Sequence, residues 1–273
     1  MSAAAAPLSG RVALVTGVSR RAGIGFAVAR RLGLLGADLF LQAWTPHDAE
    51  QHWGADPAGS NAVVAALRAV LPGRRVEAAE LDFADPRAPE DCVAAATSAV
   101  GPVDVLVANH ARSSEQRLAA LTAEEIDLAL AVNVRATLLL VQAFAAARDD
   151  ARPGGRVVMM TSGQYRGPMP GELPYIAGKG ALHQLTTSLA AELAPRGITV
   201  NTVDPGATDT GYATGEVYAA GLARMPMGRW GEPDDAARLI AFLATDDARW
   251  ITGQVIASTG GEGLVTHDPR ARA

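Results

Sequence analysis

Short runs dominated by β-branched and other apolar residues recur along this chain, separated by longer Ala- and Leu-rich stretches. The short runs are RVALVT (11–16), DLFLQA (38–43), RVEAAEL (75–81), VDVLVA (103–108), RVVMMT (156–161), ITVNTV (198–203) and QVIAS (254–258). The longer stretches lie near 24–35, 60–70, 87–99, 122–148, 174–194 and 233–244. Continuous apolar runs of this length read as strands buried on both faces, and the stretches between them are long enough for crossover helices. The alternation predicts an α/β fold with a doubly wound, seven-stranded parallel sheet flanked by helices on both faces. No internal repeat or Pro/Ser-rich linker divides the chain, so one domain is expected over 1–273, with loose termini at 1–9 and 264–273. PHDAEQHWGADPAGS (46–60) reads as a long polar loop, and 207–232 as a lid over a substrate.

Composition narrows the setting. The chain has 273 residues, is 49% hydrophobic and carries a net charge of −5 spread along its length. No basic run marks a nucleic-acid surface. The most apolar stretch, LALAVNVRATLLLVQAFAAA (128–147), is interrupted by Asn133, Arg135 and Gln142. It reads as a buried helix, and no membrane partner is expected. The N-terminal MSAAAAPLSGR lacks the basic and apolar regions of a signal peptide. The single Cys92 excludes an internal disulfide and suits a reducing cytoplasm; it reads as a small apolar helix residue.

Candidate chemistry begins at TGVSRRAGIG (16–25), which follows the first strand and opens a helix. Glycines there let a backbone approach a pyrophosphate closely, and the helix N-terminus offers free N–H groups to the anion. Gly17, Ser19, Gly23 and Ile24 are therefore candidate cofactor contacts. Arg20 and Arg21 are either solvated loop charges or partners of the 2′-phosphate of NADP. Trp44 and Thr45 end the second strand, where a carboxylate would favour NAD. Two arginines and a missing acid favour NADP(H), with Asp48 close enough in sequence to reach back and keep NAD(H) as the second reading. His47, Asp48 and His52 are of metal-ligand type, but their spacing matches no metal site and none is expected.

Of the 24 basic residues only Lys179 is a lysine. It lies four residues after Tyr175 on a predicted helix, so both project from one face. A nearby ammonium stabilises a phenolate and lowers the phenol pKa from about 10. Arginine's planar fork would not fit a site sized for a narrow ammonium. Ser162 follows the fifth strand, where open α/β sheets bind ligands, and its hydroxyl can hydrogen-bond a carbonyl. Asn133 is a carboxamide inside an apolar helix, holding either a water or a neighbouring strand.

These residues resemble the short-chain dehydrogenase/reductase family, and within it the 3-oxoacyl-acyl-carrier-protein reductase type. The likeness runs from about Arg11 to Gly261 through the TG…GIG turn, LDF (81–83), Asn109, Asn133, Ser162, the Tyr175/Lys179 pair, DPG (204–206) and ITGQ…GG. It implies a Rossmann-type fold and a catalytic tetrad of Asn133, Ser162, Tyr175 and Lys179. It also implies adenine contacts from Asp82 and Phe83, and nicotinamide and phosphate contacts from Pro205, Gly206, Thr208 and Thr210. Lys179 and Tyr175 would meet the nicotinamide ribose. Family members are often tetramers, so a homotetramer or homodimer is expected.

Three departures stand out. Five residues separate Gly17 from Gly23, two more than usual. His110 stands where the family writes alanine, near the expected cofactor ribose beside Asn109, either packing or facing the substrate. Gly178 replaces a common serine, a change expected to matter little. Substrate contacts are expected from Gln164, Tyr165 and Met169, and from Tyr212 and Tyr218 in the aromatic segment 210–230. The sequence reading is an NADPH-dependent reductase of a small-molecule ketone, reversible as an alcohol dehydrogenase. The alternatives are an NAD-linked alcohol dehydrogenase and a non-catalytic dinucleotide sensor.

Overall fold

Strand order decides where this molecule can bind a ligand. The computed structural model describes residues 6–152 and 154–263. Seven strands, β1 (Val12–Thr16), β2 (Asp38–Ala43), β3 (Val76–Glu80), β4 (Val105–Ala108), β5 (Arg156–Met160), β6 (Thr199–Asp204) and β7 (Val255–Ala257), form one sheet in the order β3-β2-β1-β4-β5-β6-β7. All six pairings are parallel. The order in which strands are added reverses between β1 and β4, and crevices at such a point open beyond the carboxyl ends of the strands.

The helices are α1 (Ile24–Leu34), α2 (Thr45–Glu50), α3 (Ser60–Val70), α4 (Ala88–Val100), α5 (Ala123–Leu130), α6 (Ala136–Ala147), α7 (Leu173–Leu193), α8 (Gly215–Leu222) and α9 (Pro233–Ala244). Alternate strand residues feed two cores. Ala13, Val15, Leu39 and Leu41 face one way, with Leu32 of α1, Leu67 of α3 and Ile240 of α9. Val12, Leu14, Phe40 and Leu106 face the other, with Cys92 of α4, Phe144 of α6 and Leu182 of α7. Leu106 is fully buried, and truncating such a leucine to alanine costs about 2–5 kcal/mol. Burial also pushes the Cys92 thiol up to about 12 and leaves it inert.

Four expectations about the elements need correction. The 46–60 loop begins as helix α2, whose start is marked by Pro46 in its first turn. The 207–232 segment contains α8, and its Met225 and Trp230 are buried. Leu8, assigned to a loose terminus, is buried and its N–H bonds Leu35 O at 2.8 Å; the expectation for 264–273 lies outside the described residues. The helix expected over 122–148 is broken by a π-helical turn at Ala131–Arg135. The run Ala123–Ala147 has the length and apolarity of a membrane-crossing helix. Here α5 packs on α7, and α6 on α4.

Candidate active site

A cavity of about 750 Å³ opens at the β1/β4 reversal. Gly17, Ser19, Arg20, Gly23 and Ile24 form one wall. Gly17 sits at φ +71°, and a Cβ on it would stand 2.8 Å from His110 Cα. A Cβ on Gly25 would stand 2.4 Å from Gly17 O, so the turn folds tightly onto α1. Asn109 Nδ2 donates to Thr16 O at 3.0 Å and Gly17 O at 3.2 Å, tying the turn to the end of β4. Helix α1 starts at Gly23 without a side-chain cap and without an acid in its first turn. Its N-terminus is thus left to an anionic ligand.

The two arginines separate. Arg20 lines the cavity, and its Nη2 donates to Thr210 O at 2.8 Å. Arg21 turns away to Asp56, with an Nη2–Oδ1 distance of 2.7 Å, and is not among the lining residues. The guanidinium holds the Asp56 carboxyl well below the usual carboxylate range. Trp44 lines the cavity, but Thr45 does not: its hydroxyl donates to Glu80 Oε1 at 2.6 Å.

Helix α2 and the residues after it form a strap along this wall. Ser19 Oγ donates to Asp48 Oδ2, and Trp53 Nε1 donates to Asp48 Oδ1 at 3.2 Å. Ser113 N donates to His47 Nε2 at 3.2 Å, and His52 Nε2 donates to Tyr212 O at 2.6 Å. The strap therefore touches the loops after β1, β4 and β6. Its Pro46, His47, Asp48, Glu50 and Trp53 all line the cavity. Burial holds the His47 imidazole below its ordinary pKa, with the charge of Arg112 acting in the same direction. Asp82 and Phe83 complete this end.

At the other end, Ser162 and Tyr175 share the cavity wall, and the Ser162 hydroxyl acts to lower the Tyr175 pKa. Lys179 is buried one helical turn beyond Tyr175, with Nζ 5.7 Å from the Tyr175 ring centroid. Nζ donates to Met160 O at 3.1 Å, and the Thr161 hydroxyl donates to Lys179 O at 2.9 Å. The lysine stands behind the tyrosine, pinned to the end of β5. The expected depression of the phenol pKa is not what this geometry gives. Burial pushes Tyr175 up to about 12, outweighing the Ser162 hydroxyl, and Glu172 adds to the rise. Burial also brings Lys179 down to about 8. Desolvation thus dominates both groups and leaves a neutral phenol beside an ammonium charged at neutral pH.

Asn133 is fully buried in the π-helical turn. Its Oδ1 accepts from Arg112 N at 2.7 Å and its Nδ2 donates to Arg112 O at 3.1 Å. It braces the loop after β4, whose Arg112 and Ser113 line the cavity. Gly178 carries more weight than its sequence position suggested: a Cβ there would lie 2.9 Å from Asn133 Cβ. Asn109, His110, Pro205, Gly206, Thr208 and Thr210 all reach the cavity.

Of the expected substrate residues, Met169 and Tyr212 line the cavity. The other three do not. Gln164 turns back, its Nε2 donating to Thr161 Oγ1 at 3.0 Å. Tyr165 is 46% exposed and packs edge-on against His183. Tyr218 stacks on Trp230 at 5.1 Å, so the two aromatics satisfy each other within the 207–232 segment.

Comparison with known proteins agrees on the kind of molecule. A family model described as enoyl-(acyl carrier protein) reductase matches residues 17–262. The oxidoreductase YjdA of Bacillus subtilis is 41% identical over 252 residues, 92% of this chain and 96% of the relative. Human dehydrogenase/reductase SDR family member 4 is 34% identical, covering 93% of this chain and 88% of its own. A short chain dehydrogenase from Burkholderia cenocepacia, solved with NADP, superposes with a TM-score of 0.83 at 38% identity, over 95% of this chain and all of that one. The chain belongs to the short-chain dehydrogenase/reductase family.

In this short-chain dehydrogenase/reductase the sequence concealed several cavity residues. Glu172 precedes Tyr175 by one turn and lines the cavity with Glu115. Burial raises its carboxyl pKa, and the charge of Glu115 raises it further. Leu128 and Val132 add an apolar patch. They sit within a predominantly apolar run, where no pattern distinguishes a lining residue from a core one. The strap residues were visible as a polar cluster, but no spacing tied them to the cavity.

Proposed function

We propose that this oxidoreductase is an NADPH-dependent reductase of a ketone, of 3-oxoacyl type or a related carbonyl, running in reverse as an alcohol dehydrogenase. The observation that carries the reading is the meeting of Ser162 and Tyr175 on one wall of the cavity into which the Gly17–Gly25 turn opens. A dinucleotide fits the residues present. The uncapped α1 N-terminus and the close glycines suit its pyrophosphate, and Asp82 and Phe83 suit the adenine. Pro205, Gly206 and Thr208 are left for the nicotinamide end. The bound dinucleotide supplies the hydride.

Ser162 orients the substrate by donating to its carbonyl oxygen. Tyr175 donates its phenolic proton to that oxygen as it gains charge, and solvent then restores the proton. Its high pKa keeps the proton in place until it is needed. The Lys179 ammonium stabilises the phenolate left behind. Asn133 holds the Arg112 loop that bounds the same space. Met169, Leu128, Val132 and Tyr212 make the substrate end moderately apolar, which favours a small ketone.

Tyr175→Phe is expected to lower kcat for ketone reduction about a thousandfold, while NADPH affinity, read by fluorescence titration, stays within about threefold of wild type. Retained turnover would defeat the assignment.

NADP(H) is favoured by Arg20 in the cavity wall and by the NADP bound in the Burkholderia relative. An NAD-linked enzyme is the second reading, favoured by the Asp48 and Glu50 carboxylates on the same wall. Comparing kcat/KM for the two cofactors separates them. If NADPH is used, Arg20→Ala raises KM for NADPH about tenfold and leaves NADH little changed; equal effects on both would favour the NAD reading. The reading extends to assembly as a homotetramer or homodimer, supported by exposed Trp250 and Phe242.

A further inference from the structure

His110 is buried, yet both ring nitrogens are engaged. Nε2 lies 3.1 Å from Val132 O, which can only accept, so Nε2 carries the proton. Nδ1 is then the acceptor for the Thr16 hydroxyl at 2.8 Å. Thr16 Oγ1 in turn accepts from Asn109 N at 3.0 Å and His110 N at 3.2 Å. The ring also packs edge-on against Phe83, 4.5 Å between centroids. Burial brings the imidazole pKa down to about 3, so it stays neutral across the working range of pH.

The position of Val132 gives this bridge its meaning. Val132 lies in the π-helical turn Ala131–Arg135, next to Asn133. A π turn shifts the hydrogen-bond register by one residue, so carbonyls around it look outside the ladder for donors. Val132 O finds His110 Nε2 and Asn133 O finds the Thr137 hydroxyl at 2.9 Å. On its far side the turn is closed by Gly178 of α7, the residue before Lys179. The turn is therefore clamped between the end of β1 and the helix bearing Tyr175 and Lys179.

We propose that His110 is a positioning residue: its neutral imidazole anchors the wide turn carrying Asn133 to Thr16, and so holds the Arg112 loop and the Tyr175 helix in working register. It acts through these groups, not on the substrate. The proposal rests on the reductase reading for its kinetic readout but not for its structural one.

Two variants test it. His110→Phe keeps a ring against Phe83 and removes both hydrogen bonds; His110→Gln restores a donor for Val132 O and an acceptor for Thr16. Melting temperature first establishes that each folds. Ketone reduction and NADPH titration are then measured, with hydrogen exchange at the amides of residues 131–137. The expected result for His110→Phe is a tenfold or greater fall in kcat, NADPH affinity within threefold of wild type and faster exchange in the turn, all largely reversed in His110→Gln. Unchanged kcat, or NADPH affinity falling in step with kcat, would overturn the positioning role. So would unchanged exchange in His110→Phe, whatever the activity. Should wild type reduce no carbonyl while exchange still responds to the two variants, the reductase reading falls and the anchoring of the turn stands. If neither variant folds, exchange in wild type decides: turn amides opening faster than those of α6 would overturn the proposal, and protection equal to α6 would support it.

Discussion

At the scale of single residues, desolvation sets the chemistry of the site. Tyr175 and Lys179 stood out in the sequence because a helix places residues four apart on one face, and because one lysine survives among arginines. Their relative depth did not stand out. Periodicity gives direction around a helix but not distance from solvent, so the balance between burial and charge could be read only from coordinates. Burial leaves Tyr175 protonated to about 12 and Lys179 charged only up to about 8. The phenol is thus available as an acid throughout, and the lysine is the group that titrates. In the folded enzyme Lys179 carries its charge below its lowered pKa and loses it above. Ketone reduction is therefore expected to hold level up to about pH 8 and to fall by up to tenfold per further pH unit. A kcat/KM profile checks this. Lys179→Gln lowers the plateau and removes the fall, and a fall persisting in that variant would assign it elsewhere. Arg20 and Arg21 show the limit of reading from type alone. Adjacent and identical, they differ because Asp56, far along the chain, captures one of them.

At the scale of elements, all seven strands and seven of the nine α-helices among the described residues were legible, α5 and α6 as a single run, since apolar runs and their spacing carry that information. The strap was not. Six helical residues rich in charge have no apolar face to announce them, and only Pro46 marked a start. The π-helical turn was equally hidden, because a register shift leaves hydrophobic content unchanged. It shows instead through its neighbour. Gly178 permits α7 to approach Asn133, and any side chain must push the two apart. Gly178→Ser, the residue that resemblance alone would favour, is expected to cost about 1–3 kcal/mol through overpacking. It should also lower kcat more than it weakens NADPH binding. Denaturant unfolding and steady-state kinetics measure the two effects, and a serine accepted without loss would mean that the turn yields freely.

At the scale of the whole molecule, the order of strands brings the ends of β1, β4, β5 and β6 around one cavity. Residues from Gly17 to Thr210 thereby become neighbours. That convergence follows from right-handed crossovers in a parallel sheet and was predictable from alternation. Long-range ties were not. Arg166 Nε donates to Asp204 Oδ2 at 2.9 Å, and its Nη1 to Glu262 O at 2.9 Å, linking the segment after Ser162 to the end of β6 and to the last described residues. Ala207 N donates to Glu262 Oε2 at 3.3 Å, so the segment between the cavity-lining Gly206 and Thr208 is also tied there. The outer surface leaves Trp250 95% exposed. Light scattering at micromolar concentration is expected to give a tetramer or dimer, and Trp250→Glu to shift it toward monomer. A wild-type monomer would contradict the proposed assembly.

The strap has a kinetic corollary. Asp48, His47 and His52 grip three separate loops bordering one chamber, and a nucleotide bound there is expected to leave only as those contacts yield. Slow coenzyme departure is the expected consequence, and stopped-flow release of NADPH is expected to quicken in His52→Ala, which loosens the grip.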